Sequence, residues 1–285
     1  MVKIAVMADI HSNYEAFKVC VEDAINRGVE EFIFLGDYLG DMAQPQKTLQ
    51  LLYDLMEKYP CTCIRGNKEE YWINHRSNKS QVWASGNTST GMLKYNYDRL
   101  SESDIDFFDS LPISEIVHRD GLKDFTICHG SPFRVNQSMR EDYGYIDEIM
   151  KDIPTDLVIC GHFHIQTDYI RMGKRIINPG AIGVSLHKNG KACYMILHGE
   201  DGTWSPEFIS LHYDRVKTLQ TMKDEALDTI APGWYKITHH LISTGEVSHA
   251  VVVNKVLEMY GDKGCELSDI PDWVWDKAMD AVFNQ

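Results

Sequence analysis

Four histidines, two aspartates and one asparagine of this chain stand just past the ends of apolar runs. Their imidazole, carboxylate and amide donors are those that hold divalent metal ions. His162 and His164 lie in Cys160-Gly161-His162-Phe163-His164, directly after Leu157-Val158-Ile159. On an extended backbone, residues two apart point to the same side, so this pair is expected to converge. Asp9 and His11 repeat the spacing after the apolar run 3–8. Gly36-Asp37 follows 31–35, Gly66-Asn67 follows 61–64, and His129-Gly130 follows Phe125-Thr126-Ile127-Cys128. Open α/β sheets place their ligand sites at strand ends, and the neighbouring glycines allow sharp turns there. Seven nitrogen and oxygen ligands are too many for one ion with an open position, and suit two ions sharing a bridge. Hard oxygens and imidazoles without thiolate fit Mn, Fe or Zn.

The elements that must position these residues begin with a βαβαβ pattern. Strands are expected at 3–8, 31–35 and 61–64, and helices at 14–27 and 45–59. The first helix carries Ala16, Phe17, Cys20, Val21, Ala24 and Ile25 at helical spacing, with Gly28 at its end. Such a pattern predicts a parallel sheet. Residues 69–110 read as a mostly helical insert, broken near 85–89 and restarted at Ser101-Glu102-Ser103-Asp104. A helix is expected to start near Asp142 and to end at 151–154. Short β-like runs at 114–119, 123–128, 156–160, 166–171, 175–177, 192–197 and 207–211 predict a second sheet built partly of hairpins. Beyond Asp214 helices are expected at 216–230, 234–243, 246–260 and 271–283. The division is a core at 1–213 and a helical C-terminal appendage at 214–285.

Composition narrows the function classes. The chain has 285 residues, 44% of them hydrophobic, enough for a large core. Its net charge of −14 argues against a nucleic-acid scaffold or an anionic-membrane binder, whose footprints are basic. The 7 cysteines include no CxxC pair, which points to reduced thiols and a cytoplasmic location. The N-terminus runs straight into a strand with no signal-peptide core, and no apolar run approaches a membrane span.

The order Asp9-Ile10-His11, Gly36-Asp37, Gly66-Asn67-Lys68-Glu69, His129, Gly161-His162-Phe163-His164 resembles the calcineurin-like metallophosphoesterase superfamily. That pattern is DxH, GD, GN with an acid two residues on, an isolated H, then GHxH. Asn178-Pro179-Gly180 resembles the turn of its small bacterial and archaeal phosphodiesterase branch. The resemblance implies a four-layer α/β sandwich of two mixed sheets flanked by helices. It implies one ion on Asp9, His11 and His164, another on Asn67, His129 and His162, and Asp37 bridging them. Two divalent ions bring four positive charges and the two aspartates return two. A bridging hydroxide leaves roughly one, so phosphate meets a cationic pocket in an acidic protein.

Two departures shape the expected chemistry. Gly36-Asp37-Tyr38-Leu39-Gly40-Asp41 lacks the DRG arginine of phosphoprotein phosphatases. Lys68 stands where many members carry a histidine that protonates the leaving group, so the catalytic set is Asn67, Lys68 and His129 with Lys68 as a cation. The resemblance implies hydrolysis of a phosphodiester or phosphoanhydride by a metal-bridging hydroxide. The substrate would be small, such as a nucleotide, with dinucleoside polyphosphates as the leading candidate. A phosphomonoesterase and a non-catalytic interaction scaffold are the alternatives. The oligomeric state is not readable from the sequence. Trp72 and Trp83 are expected nearer the substrate than Trp234 and Tyr235, which read as core. Arg65 reads as a partner of Glu69 or Glu70, Asn13 as a helix cap, and His239 and His240 as packing or surface histidines.

Overall fold

The structure is a computed structural model that describes residues 2–78, 82–261, 264 and 266–284. Strands β1 (Val2–Met7), β2 (Glu31–Phe34) and β3 (Cys61–Cys63) alternate with helices α1 (Tyr14–Asn26) and α2 (Pro45–Met56). Then come α3 (Asn67–Ser77), α4 (Gly91–Tyr97), α5 (Glu102–Ser110), β4 (Ser114–Val117), β5 (Phe125–Cys128) and α6 (Ile146–Lys151). Four more strands follow: β6 (Leu157–Cys160), β7 (Gln166–Arg171), β8 (Lys174–Pro179) and β9 (Ala192–Glu200). The chain continues with β10 (Thr203–Leu211), α7 (Arg215–Asp224), α8 (Leu227–Ile230), α9 (Pro232–Thr244), α10 (His249–Tyr260) and α11 (Asp272–Phe283).

The strands form two five-stranded mixed sheets, ordered β10-β9-β1-β2-β3 and β4-β5-β6-β8-β7. Each has three parallel strands: β1, β2 and β3 in one, β5, β6 and β8 in the other. Antiparallel β9 and β10 extend the first sheet on one side only, β3 being its other edge, while antiparallel β4 and β7 close both edges of the second. The two-residue alternation of a strand makes the layers. Ala5 and Met7 of β1 face Phe17, Cys20 and Leu52 of α1 and α2. Ile4, Val6 and Ala8 face the other way, onto Phe125, Ile127, Leu157 and Ile159 of the second sheet. Cys128, Val158 and Cys160 then face Met139 and the α6 residues Ile146, Ile149 and Met150. The result is helix, sheet, sheet, helix, the four-layer sandwich expected.

Two expectations are corrected. β9 and β10 do not join the second sheet, because β9 pairs antiparallel with β1, Ile4 opposite Leu197. Period and composition mark a strand but do not name its partner. The helix expected at 216–230 is two helices, α7 and α8, parted at Ala226 with φ 56°. That left-handed residue turns the chain so that Met222 and Leu227 both enter one cluster with Met92, Tyr95 and Leu241.

α9, α10 and α11 pack on one another through Ile237, Val252, Val256, Val274 and Trp275. Cys20, Cys61, Cys63, Cys128, Cys160 and Cys193 are free thiols, and Cys265 lies outside the described residues, as does the middle of the insert, 79–81. Among the described residues no helix is long and apolar enough to cross a membrane.

Candidate metal centre

All seven expected ligands converge at the ends of strands from both sheets. Asp9 and His11 follow β1, Asp37 follows β2, and Asn67 opens α3 after β3. His129 follows β5, and His162 and His164 follow β6. The donor atoms of Asp9, His11 and His164 lie within 4.8 Å of one another, as do those of Asp9, Asp37 and His129. Asp9 Oδ1 is 3.4 Å from His164 Nε2 and 3.9 Å from His11 Nε2. Asp37 lies between the groups: its Oδ2 is 3.6 Å from His11 Nε2, and its Oδ1 is 3.5 Å from His129 Nε2. Asn67 Oδ1 is 3.1 Å from His129 Nε2 and 3.0 Å from His162 Nδ1.

The donor chemistry fits cations between these atoms. His129 Nδ1 lies 2.7 Å from the Leu35 carbonyl, an acceptor, and so carries the hydrogen. In the neutral ring Nε2 is then a bare lone pair facing another acceptor, Asn67 Oδ1, an arrangement a shared cation satisfies. His11 Nε2 is buried without a hydrogen-bond partner and points at two carboxylates. Burial opposes charge on Asp9, but His164, His129 and His11 outweigh it and hold its carboxyl below the usual range. Burial, with His129 beside it, pushes the His162 imidazolium down to about 4, leaving a neutral ring able to coordinate.

The backbone that makes this convergence is strained. Asp9, His11, Asp37, His162 and His164 all have left-handed φ, between 51° and 73°. Such residues cost about 1–3 kcal/mol each and persist where surroundings over-determine them. A fully buried Ile or Phe contributes about 1.5–3 kcal/mol, and the cores behind the site hold many. Loop-to-loop hydrogen bonds fix the turns: Asp9 N donates to Gly36 O, His11 N to Asp37 O, and Gly161 N to His129 O. The extended backbone expected for the His162/His164 pair is therefore corrected. The left-handed turn splits the pair, so that His162 meets Asn67 and His164 meets Asp9.

Glycine is required at two of these positions. A Cβ on Gly66 would collide with the carboxylate and amide of Asp37, and one on Gly40 would come within 2.6 Å of His11 Nδ1. Glu69 supplies a further brace. Its carboxylate accepts from the amides of Gly66 at 2.7 Å, Asp37 at 2.9 Å and Tyr38 at 3.0 Å. The opening amide of α3 at Lys68 donates to Asp37 Oδ1 at 2.9 Å, the favoured placement of an anion at a helix N-terminus.

Lys68 lies at this centre with its ammonium 3.0 Å from Asp41 Oδ1. Burial works against its charge, but Asp41 and Asp37 outweigh that and raise its pKa. Burial likewise disfavours the Asp41 carboxylate, while Lys68, His11 and His249 hold its pKa well below the usual range. Asp41 is the site residue that sequence reasoning missed. The signal was the second acid of Gly36-Asp37-Tyr38-Leu39-Gly40-Asp41, read only for its missing arginine. His249 of α10 and Trp234 of α9 also reach Asp41, and nothing in their local sequence marks them.

Other expected contacts fall elsewhere. Trp72 and Trp83 are buried in the core against Phe108 and Tyr97, so neither lines the site; this corrects their placement near substrate. Trp234, read as core, is half-buried with its indole N–H on Asp41. Arg65 donates to the Asp109 carbonyl and lies 3.8 Å from Glu70, a structural pairing. Asn13 caps α1 by accepting from Ala16 N, and Asn178 donates to Gly161 O while accepting from Gly180 N. Tyr235 and His239 pack on each other at the surface of α9, and His240 stacks on Phe283.

The chain matches the calcineurin-like phosphoesterase superfamily domain over residues 2–202. It is 27% identical over 246 residues to an uncharacterised protein of Methanocaldococcus jannaschii, covering 81% of this chain and 94% of that one. A hypothetical protein of Pyrococcus horikoshii has a similar fold, with a TM-score of 0.69 at 20% identity over 87% of this chain and 100% of that one. So does a metallophosphoesterase from Sphaerobacter thermophilus, with a TM-score of 0.64 at 22% identity over 79% of this chain and 95% of that one. The five motifs in register, their convergence at one strand-end cluster and the match across most of the chain have one conclusion: this protein belongs to the calcineurin-like phosphoesterase superfamily and is a metal-dependent phosphoesterase.

Proposed function

We propose that the protein hydrolyses phosphodiester or phosphoanhydride bonds of small substrates, nucleotides among them, with two divalent Mn, Fe or Zn ions. Asp9, His11 and His164 would hold one ion and Asn67, His129 and His162 the other, with Asp37 between. The observation that carries this reading is the Asp37 carboxylate, whose two oxygens face a histidine of each group at 3.6 and 3.5 Å. Bound there, the ions would supply water activated at neutral pH and a clamp on phosphoryl oxygens. Asn67 and His129 orient that side of the site. Lys68 offers a held positive charge to the departing group. A lysine paired with Asp41 is a poor proton donor at neutral pH, which favours leaving groups already stable as anions. Aryl oxides and nucleoside phosphates are of that kind, and dinucleoside polyphosphates are the substrate we favour. Residues 1–213 would form the catalytic core and 214–285 an appendage that bears on substrate choice. The free thiols accord with a cytoplasmic setting.

The test is a panel on Mn²⁺-loaded protein: a bis-aryl phosphodiester, dinucleoside polyphosphates, mononucleotides and alkyl phosphomonoesters. Turnover of the first two well above the last is expected. A preference for monoesters would identify a phosphomonoesterase. Two bound ions without turnover of any member would identify a scaffold.

A further inference from the structure

Asp41 is a buried junction between the metal cluster and the C-terminal helices. Its Oδ1 takes Lys68 Nζ at 3.0 Å and the Trp234 indole N–H at 2.9 Å. Its Oδ2 lies 3.1 Å from His11 Nδ1 and 3.9 Å from His249 Nδ1. Lys68 and His11 belong to the core and Trp234 to α9, while His249 of α10 bears on Asp41 by packing against Trp234. The Trp234 ring stacks on His249 with centroids 4.6 Å apart, and its face is 5.4 Å from the Lys68 ammonium. Thr238 fixes the arrangement from behind. Its hydroxyl donates to Trp234 O at 2.9 Å, so the 2.8 Å contact with His249 Nε2 is accepted from the ring N–H. His249 is thereby held in one tautomer against Trp234.

A carboxylate with this many partners has its rotamer set by them all. Without the Trp234 donor, Asp41 Oδ1 keeps Lys68 alone. The placement of Oδ2 beside His11 Nδ1 is then less constrained, and so is the aim of Nε2 at Asp9 and Asp37. Partners one step behind a metal ligand commonly change metal affinity by about 10–100-fold.

We propose that Trp234 and His249 are positioning residues of the metal centre, acting through Asp41 on His11 and Lys68, so that the docking of α9 and α10 and the binding of metal are coupled. The coupling is reciprocal: whatever helix docking contributes to metal binding, metal binding contributes to helix docking. The inference rests on the metal assignment proposed above, and its test separates the two.

The experiment titrates Mn²⁺ into chelator-stripped protein by calorimetry and follows hydrogen exchange of 232–260 with and without Mn²⁺. Trp234→Phe keeps the ring and deletes the donor; it should weaken Mn²⁺ binding about tenfold. His249→Phe keeps the stack and should weaken it less. Trp275→Phe perturbs the same helical cluster away from Asp41 and should leave affinity within twofold. In the wild type, Mn²⁺ should slow exchange in α9 and α10. Wild-type affinity in Trp234→Phe overturns the inference, as does an equal loss in Trp275→Phe, which would mean general loosening of the helices. Exchange that ignores Mn²⁺ overturns it even where a variant folds poorly. Asp37→Ala serves as the reference: if it still binds two ions, the metal assignment itself falls, and this inference with it. If it loses them while Trp234→Phe binds normally, only this inference falls.

Discussion

The Lys68 ammonium and the Asp41 carboxylate form an ion pair of 3.0 Å at the edge of the metal centre, both side chains nearly buried. In the function proposed above, the pair would keep a fixed positive charge beside the departing group and shield it from bulk water. For Lys68 to act as an acid, Asp41 would be left charged and without that partner in a buried site, which is costly.

Catalysis should therefore depend on the leaving group. In a series of esters graded by leaving-group pKa, kcat/KM should fall as that pKa rises. Lys68→Ala should lower kcat by about 100-fold on poor leaving groups and less on aryl oxides. Asn67→Ala should cost more than Lys68→Ala on every substrate. A flat series in the wild type, with chemistry rate-limiting, would show a proton donor elsewhere.

Asp37→Ala should lose most of both ions. Its two oxygens face both histidine groups, and its removal also unmasks repulsion between the ions. Elemental analysis of the purified variant decides this; close to two ions per chain would refute the bridging role.

Glu69→Ala should unfold at lower temperature even without metal. It leaves three buried amides, those of Gly66, Asp37 and Tyr38, without an acceptor. Each unsatisfied group costs about 1–3 kcal/mol, so a fall in Tm of several degrees is expected in scanning calorimetry. A Tm unchanged in the apo-protein would mean that water replaces the carboxylate.

Trp72→Ala should act through stability alone. The side chain is fully buried and its indole donates to Leu93 O at 3.3 Å. Truncation should cost about 3–5 kcal/mol in denaturant unfolding. KM for a nucleotide and for a small aryl diester should change by the same factor. A rise confined to the nucleotide would return Trp72 to the substrate.

The residues that converge at the candidate metal centre are legible in the sequence because strand ends, glycines and donor types coincide locally. Asp9, Asp37, Asn67 and His129 each announce themselves within a few residues. The conformation there was not legible: the left-handed φ of His162 and His164 arises from loop-to-loop hydrogen bonds with distant segments. Trp72 and Trp83 show the same limit from the other side. A tryptophan in a polar helical insert looks available to substrate until the packing of α3 against α5 encloses it. Asp41 is marked locally only as the second acid after Asp37, and Trp234 and His249 beside it lie some 200 residues away in the chain. No local pattern can reveal a contact whose other half is that remote.

The pairing of β1 with β9 bears on how the molecule comes into being. β1 is made before both its neighbours, and β2 soon gives it one, yet its other edge waits for a strand ending at Glu200. Until then the chain holds an incomplete sheet with an open apolar edge, the condition that slows folding and invites wrong partners. His162 and His164 emerge only shortly before β9, and Trp234 and His249 later still. An ion arriving during synthesis would find Asp9, His11 and Asp37 with no counterpart to close upon. Metal capture during synthesis should therefore follow the emergence of His162 and His164 rather than precede it.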